Sequence, residues 1–268
     1  MSKIEAAAAW DVTHGKGVTV AVVDTGIDHK HPDLAGRVAK GRDFVNNDDD
    51  AMDDQGHGTH CAGTIGAGMG NGGVVGVAPE VQMIAVKVLS RSGSGTYEGV
   101  ANGIVYSADQ GAEVISMSLG GPAGSKVIED AVNYARSKGS LVVAAMGNEN
   151  TESPSYPASA PGIMAVGATT SADKRSSFSN YGKHISVGAP GSDILSTIPG
   201  GRYDTYSGTS MATPHAAGLV ALVKSAFPGA NAAELQSRVE KSADDLGADG
   251  FDKYFGHGRI NARKAVSK

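Results

Sequence analysis

The sequence predicts an α/β fold with a mostly parallel central sheet and helices on both faces. Continuous apolar runs alternate with helical stretches, and such runs are typical of parallel strands that helices cover on both sides. No linker and no shift of composition divides the 268 residues. We therefore expect one domain over residues 1–268, which is an ordinary size for a large α/β domain.

The elements alternate along the chain. Six strands are predicted because each segment is short, apolar and followed by a turn: 17–24, 81–89, 112–119, 140–146, 161–169 and 184–188. Six helices are predicted between and after them: 4–10, one that begins at His57, 97–110, 125–138 with Gly139 at its end, one that begins after Gly208, and 230–243.

Charge and composition exclude several classes of function. The net charge of −5, without a basic run, gives no case for nucleic-acid binding. The longest apolar stretches are shorter than a membrane span, so no membrane insertion is expected. Residues 1–10 contain no signal-like apolar segment. The single cysteine, Cys61, excludes an internal disulfide, and we interpret it as a small buried apolar residue.

Residues 208–215 (GTSMATPH) lead directly into an apolar run, which predicts a helix that is buried on every side. Thr209 and Ser210 carry hydroxyl groups that are suited to cap free N–H groups at its start. Ser210 at this position would also suit a nucleophile, but a serine needs a base and a carboxylate that orients the base. This stretch alone leaves both interpretations open.

Asp24 and His57 are the candidates for the carboxylate and the base. Asp24 ends a predicted strand, at the sheet edge where ligands bind in open α/β folds, although a strand-end aspartate more commonly caps a turn. His57 begins a helix of small residues between two glycines, which leaves its ring accessible. His60 lies one helical turn further on, so a metal pair is conceivable, but a solvated or core-bonded His60 is the simpler expectation.

Two loops have the composition of cation sites. Aspartates at 48–50, 53 and 54 either spread into solvent or surround a hard cation such as Ca²⁺, and their spacing alone favours a solvated loop. Residues 68–73 (GMGNGG) match the dinucleotide fingerprint only as a string, because they follow a helix and not a strand. We reject that match; the exposed carbonyl groups of such a loop would instead suit a cation.

Asp24, His57 and Ser210 occur in this order and, with Asn148, lie at strand ends or helix starts that meet at one sheet edge. With the strings around them, they resemble the subtilisin family of serine proteases (subtilases), in particular its thermitase-like members. The resemblance covers essentially the whole chain and implies a three-layer, subtilisin-like fold. The similar strings are 20–28, 56–64, 118–121, 145–148, 188–191, 208–215 and 255–262.

The resemblance implies a role for each of the four residues. Ser210 would attack the peptide carbonyl, His57 would take its proton and pass it to the leaving amine, and Asp24 would orient His57. Asn148 and the backbone N–H of Ser210 would stabilise the oxyanion. The result would be a serine endopeptidase that acts through an acyl-enzyme on Ser210.

The resemblance also implies how a substrate binds. An extended peptide would pair through its backbone with two segments, and such pairing gives broad specificity. The small residues Ala145, Gly147 and Ser155 would leave a wide P1 pocket for large apolar or aromatic side chains, and Leu89, Val100 and Leu119 would join Tyr97 in an apolar P4 site. Apart from Tyr97, these P4 residues could instead be ordinary core residues, although the P4 interpretation is favoured. The pairing segments contain Gly93, Gly95, Tyr97, Ser118, Leu119 and Gly120.

Structural Ca²⁺ at one or two sites is the implied cofactor. The loop before His57 would use Asp43, Asp48 and Asp50, although the extra acids Asp49 and Asp53 depart from the family pattern. A second site, in loop 68–75, would use Asp33, the side chain of Asn71 and the carbonyls of Gly68, Gly73 and Val75. The N-terminal arm that completes this site in the family is missing before Ser2, so we expect the site to be weakened or to be completed by water. A third family site is not expected, because Ser186 stands where it needs a carboxylate.

Protein and peptide substrates are the implied partners, with a propeptide or a proteinaceous inhibitor as further partners of a monomer. The family also implies an extracellular, secreted protein. Two alternatives remain: a non-catalytic subtilase scaffold that binds peptides in the same groove, and a nucleotide-binding α/β protein. The complete set of triad residues argues against the first, and the misplaced glycine string gives no reason for the second.

Overall fold

A seven-stranded sheet, in which every neighbouring pair of strands is parallel, forms the centre of the computed structural model. The structure describes residues 1–267, apart from the side chain of Lys40. The strands are β1 (Thr19–Asp24), β2 (Val38–Asp43), β3 (Gln82–Lys87), β4 (Val114–Met117), β5 (Leu141–Ala145), β6 (Met164–Thr169) and β7 (Val187–Pro190), in the spatial order β2-β3-β1-β4-β5-β6-β7. A separate antiparallel hairpin contains β8 (Ile194–Ile198) and β9 (Arg202–Tyr206).

Helices cover both faces of the sheet. They are α1 (Ala6–Ala9), α2 (His57–Gly66), α3 (Tyr97–Asp109), α4 (Lys126–Ser137), α5 (Thr209–Ala226), α6 (Ala232–Lys241) and α7 (Ala262–Val266). Helices α3 and α4 pack on one face, and the remaining helices pack on the other. Successive residues of β1 alternate between the two cores, with Val20 and Val22 in one and Ala21 and Val23 in the other. The predicted three-layer α/β fold is confirmed.

The chain also contains elements that the sequence did not predict. Edge strand β2 has a polar composition and an irregular register with β3, and the β8–β9 hairpin is partly exposed, so neither has the continuous apolar run of a buried strand. Helix α7 is only one turn long. The predicted helix over 4–10 is instead a 3₁₀ turn (Ser2–Ile4) followed by the short α1.

The start of α5 differs from the prediction. Gly208 is its N-cap residue and no side chain there caps the helix, so the expected capping by Thr209 and Ser210 is wrong. The buried apolar character that was predicted for the helix is present, since its residues from Met211 to Val223 are all buried. Within residues 1–267, no helix combines the length and the apolar character needed to cross a membrane.

The sheet topology brings the predicted site residues to one edge of the sheet. In a parallel sheet all carboxyl ends lie at one edge, where the loops after the central strands meet. Asp24 ends β1, Ser118 follows β4, and Asn148 follows β5, and these three strands lie near the centre of the sheet. Helices α2 and α5 begin with His57 and with Thr209, respectively.

Candidate active site

Asp24 and His57 form a hydrogen-bonded pair at this edge. Asp24 is fully buried, and its Oδ1 accepts a hydrogen bond from the N–H of Thr25 at 2.7 Å. Nδ1 of His57 lies 2.8 Å from Oδ1 and 3.0 Å from Oδ2 of Asp24. A buried carboxylate at Nδ1 holds the proton on that nitrogen and leaves Nε2 as the basic atom.

The surroundings of His57 favour its protonated form. Burial lowers the pKa of the imidazole, but the negative charge of Asp24, the hydrogen bond to Asp24 and the negative charge of Asp53 together outweigh burial and raise the pKa above its usual value. The side chain is still 25% exposed. His57 therefore combines a stabilised imidazolium with access from solvent.

Ser210 is the second residue of α5 and is half-buried. Its hydroxyl donates a hydrogen bond to the carbonyl oxygen of Ser118 at 3.2 Å, and the Ser118 hydroxyl donates to the carbonyl oxygen of Ser210 at 2.8 Å. Among the hydrogen bonds of residues 1–267, none joins Ser210 to His57. A serine hydroxyl is reoriented by rotation about one bond, and contacts of this kind often tighten only when substrate binds.

Asn148 is oriented by the first residue of α5. Its Oδ1 accepts hydrogen bonds from the N–H and the hydroxyl of Thr209, at 2.8 and 3.0 Å. The Thr209 hydroxyl in turn accepts a hydrogen bond from the N–H of Gly147 at 3.1 Å. Thr209 therefore holds the amide oxygen of Asn148 against α5, and none of the hydrogen bonds of the described residues uses Nδ2 of Asn148, which leaves that donor free.

Asn180 supports the same turn, and the sequence analysis missed it. Its side chain is buried; Nδ2 donates to Met146 O at 3.1 Å and to Glu149 Oε2 at 2.7 Å, and Oδ1 accepts from the N–H groups of Glu149 and Thr151 at 2.9 and 3.1 Å. Gly147 has φ 100°, and a Cβ there would lie 2.3 Å from Nδ2 of Asn180. Glu149 could have been found from its place beside Asn148, whereas nothing in the sequence indicates that Asn180 reaches this turn.

A cleft of about 490 Å³ extends from His57. Tyr97 is 41% exposed at its border, and its hydroxyl lies 3.0 Å from where a Cβ of Gly121 would stand. Thr25, Gln55 and Tyr156 also line the cleft and were not predicted. The predicted residues that line it are Leu89, Gly93, Gly95, Tyr97, Val100, Ser118, Leu119 and Gly120.

A second cleft, of about 500 Å³, shares Leu119 and Gly120 with the first and reaches Asn148 and Ser210. A Cβ on Gly120 would lie 2.8 Å from Oγ of Ser155, so the absence of a side chain keeps this space open. The remaining predicted substrate-binding residues, Ala145, Gly147 and Ser155, line this second cleft.

His60, one turn along α2, does not form a metal pair with His57. His60 is buried, its Nε2 lies 2.9 Å from Ile194 O and 3.2 Å from Asp204 O, and its ring stacks on Tyr206 at 4.5 Å. Burial lowers the pKa of His60 to about 4. Cys61 is fully buried, and burial together with the charge of Asp24 raises the pKa of its thiol, so the thiol is protonated at neutral pH.

Comparison with known proteins agrees with this geometry. The model of the subtilase family matches residues 15–258. The chain belongs to the subtilase family. It is 50% identical over 265 residues to "Thermitase" of Thermoactinomyces vulgaris, covering 98% of this chain and 94% of that protein. It is 51% identical over 261 residues to the "Thermophilic serine proteinase" of Bacillus sp. (strain AK1), covering 97% of this chain and 64% of that protein.

A third relative is the "Intracellular serine protease" of Paenibacillus polymyxa, with 47% identity over 230 residues, 82% of this chain and 71% of that protein. Membership of the family, with these relatives, identifies this subtilase as a serine endopeptidase with a catalytic triad, which acts on proteins.

Loop 68–75 of the subtilase fits a cation. Oδ2 of Asp33 accepts hydrogen bonds from Val74 N–H at 2.9 Å and from the Tyr203 hydroxyl at 3.0 Å, whereas its buried Oδ1 has no partner within residues 1–267. A Cβ on Gly73 would lie 2.2 Å from Oδ2, so the loop approaches the carboxylate closely. An unpaired, buried carboxylate oxygen is costly without a cation or a donor. Of the other predicted ligands, Gly68 donates its N–H to Asp33 O at 2.8 Å, and Asn71 donates from Nδ2 to Pro32 O at 3.3 Å.

The acidic loop before His57 fits a cation less well. Both oxygens of Asp43 are occupied, since Oδ1 accepts from Val45 N–H and Asn46 N–H and Oδ2 accepts from Nδ2 of Asn46. Asp48 accepts from the N–H of Asp50 at 2.9 Å, and both residues are exposed. The other acids pair within the protein: Asp49 with Arg42 at 2.9 Å, Asp54 with Lys87 at 2.7 Å, and Asp53 with several donors. Asp49, Asp53 and Asp54 thus have partners inside the protein, whereas Asp48 and Asp50 face solvent.

The contacts of Asn180 predict a coupled pair of substitutions. Asn180→Asp should lower kcat for a chromogenic peptide by roughly 10- to 100-fold, because a second carboxylate beside Glu149 displaces the turn that carries Asn148. Adding Glu149→Gln restores a donor to that contact and should recover most of the activity, while Glu149→Gln alone serves as the control. A double variant no more active than Asn180→Asp would contradict this.

Proposed function

We propose that Ser210, His57 and Asp24 are the triad of this endopeptidase and that the peptide bond is cleaved through an acyl-enzyme on Ser210. One observation carries the proposal: Asp24 occupies Nδ1 of His57, so the basic Nε2 is directed away from it, at one end of a cleft that adjoins the cleft of Ser210. The assignment of roles is the one known for subtilisin, a member of this family.

In the first step the Ser210 hydroxyl turns from Ser118 O towards Nε2 of His57. As Oγ attacks the substrate carbonyl, its proton passes to Nε2, and Asp24 stabilises the imidazolium. The imidazolium then gives the proton to the leaving amine. Water later attacks the acyl-enzyme by the same route and releases Ser210.

Negative charge on the carbonyl oxygen is stabilised at the start of α5. The N–H groups of a helix's first turn have no partner inside the helix and favour an anion. Nδ2 of Asn148 is the side-chain donor, and its direction is set because Oδ1 is held by Thr209. Because these donors are already oriented in the free protein, they need no rearrangement during the reaction.

The nucleophile is tested by labelling. A sulfonyl fluoride should modify the folded protein irreversibly, with the mass of one adduct on the peptide that contains Ser210, and should abolish peptide hydrolysis. Ser210→Ala should remove both the label and the activity, while Ser207→Ala, an exposed serine of the preceding loop, should keep both. Intact protein without label at Ser210 would contradict the role.

Broad specificity with a preference for large apolar or aromatic P1 residues is the second part of the proposal. Backbone pairing along 93–97 and 118–121 would not discriminate between side chains. The second cleft, of about 500 Å³, includes the small residues Ala145, Gly147 and Ser155 in its lining beside Ser210, which supports a pocket for a large P1 side chain. The apolar residues Leu89, Val100 and Leu119 beside Tyr97 support a P4 site in the first cleft.

Peptide anilides that differ only at P1 test this preference. We expect kcat/KM to be at least roughly 10-fold higher for Phe or Leu than for Ala, because each methylene buried in an apolar pocket contributes about 1–3 kcal/mol. Ala145→Val should reduce cleavage after Phe much more than cleavage after Ala, since it narrows the cleft without touching the proposed triad. Equal rates for Phe and Ala in the unmodified protein would contradict the P1 assignment.

Calcium is proposed as a structural cofactor, with loop 68–75 as its better supported site. Asp33 would supply the carboxylate oxygen that lacks a partner, with Asn71, Gly68, Gly73 and Val75 around it. The Arg37 guanidinium lies 3.2 Å from where a Cβ of Gly68 would stand, so a positive charge adjoins this loop and would weaken Ca²⁺ binding there. Asp43, Asp48 and Asp50 form the second proposed site. Ca²⁺ would link loop segments and stabilise the folded state.

The calcium proposal is tested by thermal unfolding of the Ser210→Ala protein, in which self-digestion is prevented. Calcium at about 100 times its Kd stabilises a protein by about 2.7 kcal/mol, which for a chain of this size raises the midpoint by roughly 5–10 °C. Asp33→Asn should abolish the shift if loop 68–75 binds the ion, and Asp48→Asn should do so if the acidic loop binds it. Equal midpoints in calcium and in chelator would contradict both sites.

We propose that residues 1–268 form one catalytic domain, active as a monomer, and that a propeptide or a proteinaceous inhibitor can occupy the clefts. An extracellular location is proposed from the family, while one relative is named an intracellular serine protease. Measuring the protein in the medium and in the cells of its native source distinguishes the two locations.

A further inference from the structure

Asp53 is a buried carboxylate next to the start of α2. It is 5% exposed and lies in the loop just before His57. Its Oδ1 accepts hydrogen bonds from the Thr25 hydroxyl, the Gln55 N–H and the Gly56 N–H, each at 2.9 Å. Its Oδ2 accepts from the N–H and the hydroxyl of Thr59, at 2.9 and 2.6 Å. Five donors therefore offset the burial of the charge, and no role in the reaction has so far been given to it.

These contacts replace the missing cap of α2. The N-cap residue, Gly56, has no side chain, so the free N–H groups of the first turn need acceptors from elsewhere. The His57 N–H donates to Gln55 Oε1 at 2.7 Å, the Gly58 N–H to the Thr25 hydroxyl at 2.9 Å, and the Thr59 N–H to Asp53. Asp53 accepts hydrogen bonds from three segments: the residue after β1, the loop before α2, and α2 itself. It therefore fixes the start of the helix that carries His57.

The same network reaches the other member of the pair. Thr25 donates its N–H to Asp24 and its hydroxyl to Asp53. Asp53 is thus joined through one residue to the carboxylate that bonds the ring of His57. A displacement of Asp53 would change the position of His57 relative to Asp24.

Two anionic groups face His57. Asp24 on β1 bonds the ring directly, and Asp53 acts on it through its charge. Three other titratable groups on this side, His60, Cys61 and Tyr206, are neutral near pH 7, because burial lowers the pKa of His60 and raises the pKa values of Cys61 and Tyr206. The nearby Asp54 is paired with the buried ammonium of Lys87.

We propose that Asp53 is a positioning residue for the endopeptidase reaction, whose carboxylate both fixes the first turn of α2 and supplies a second negative charge that stabilises the His57 imidazolium. This rests on the proposed roles of His57 and Ser210. The Asp53 carboxylate is then not available to a cation, since all five of its contacts are made within the protein.

Asp53→Asn tests the charge. Removing this negative charge lowers the pKa of His57, so the acid limb of the kcat/KM profile should move to lower pH. In acid, the variant should therefore keep a larger share of its plateau activity than the unmodified protein does. The plateau kcat should fall because the imidazolium formed in the transition state loses stabilisation, while KM changes little.

Thr59→Val is the control that keeps the charge of Asp53: it removes the hydroxyl that donates to Oδ2 of Asp53 and accepts from the N–H of Asp28. Its kcat should fall, but its acid limb should stay at the pH of the unmodified protein. An unmoved acid limb in Asp53→Asn, or equal shifts in both variants, would overturn the proposal. If Asp53→Asn does not fold, Asp53→Glu displaces the cap with the charge retained, and an unchanged kcat in that variant overturns the positioning role.

Sulfonyl fluoride labelling separates this proposal from the proposed function. If the unmodified protein is not labelled at Ser210, the triad assignment is wrong and the role of Asp53 in the reaction is overturned with it. If Ser210 is labelled and the acid limbs do not differ, only the role of Asp53 is wrong.

Discussion

The burial of α5 constrains every other part of the active site. This helix contacts strands β4 to β7 and helices α2, α6 and α7. Its small residues allow close approach, and at Gly218 a Cβ would lie 2.7 Å from Cβ of Val77. A helix that is packed on all sides cannot slide or rotate without opening cavities, which are costly in a close-packed interior. Its first turn, with Thr209 and Ser210, is therefore fixed at the carboxyl edge of the sheet.

Buried charged side chains link the carboxyl edge of the sheet to the first cleft. Asp24 and Asp53 are both buried, and Thr25 donates to each of them. Lys87 is buried beneath them, and its ammonium donates to Thr25 O at 2.7 Å, to Leu89 O at 3.0 Å and to Asp54. Because each buried ion requires its partners, the end of β1, the start of α2 and one wall of the first cleft are linked in a single arrangement.

The sequence was informative where burial or chemistry leaves a local pattern. The apolar runs predicted the central strands, and Asp24, His57 and Ser210 could be named because each stands at a strand end or a helix start. The edge strand β2 was missed, since its polar residues have no such pattern. Asn180 was missed for a different reason: its contacts with Gly147 and Glu149 exist only once distant loops are brought together.

The aspartates of the acidic segment were equally hard to assign, because their spacing is the same whether they face solvent, a cation or the protein. Asp53 turns inward to α2, whereas Asp49 pairs with Arg42 at the surface. Composition reports how many charges a loop carries, and only the fold decides which of them acquires donors.

The hydrogen bond from Ser210 to Ser118 O bears on how binding leads to chemistry. The carbonyl of Ser118 belongs to the segment along which, under the proposed function, the substrate backbone pairs. A substrate N–H that bonds to this oxygen would share it with the Ser210 hydroxyl, since a carbonyl oxygen can accept two hydrogen bonds. Sharing weakens each of the two hydrogen bonds, and under the proposed function Nε2 of His57 is then the competing acceptor for the hydroxyl. Substrate binding would thus loosen the nucleophile from Ser118 O, because one carbonyl oxygen serves the hydroxyl and the bound peptide together.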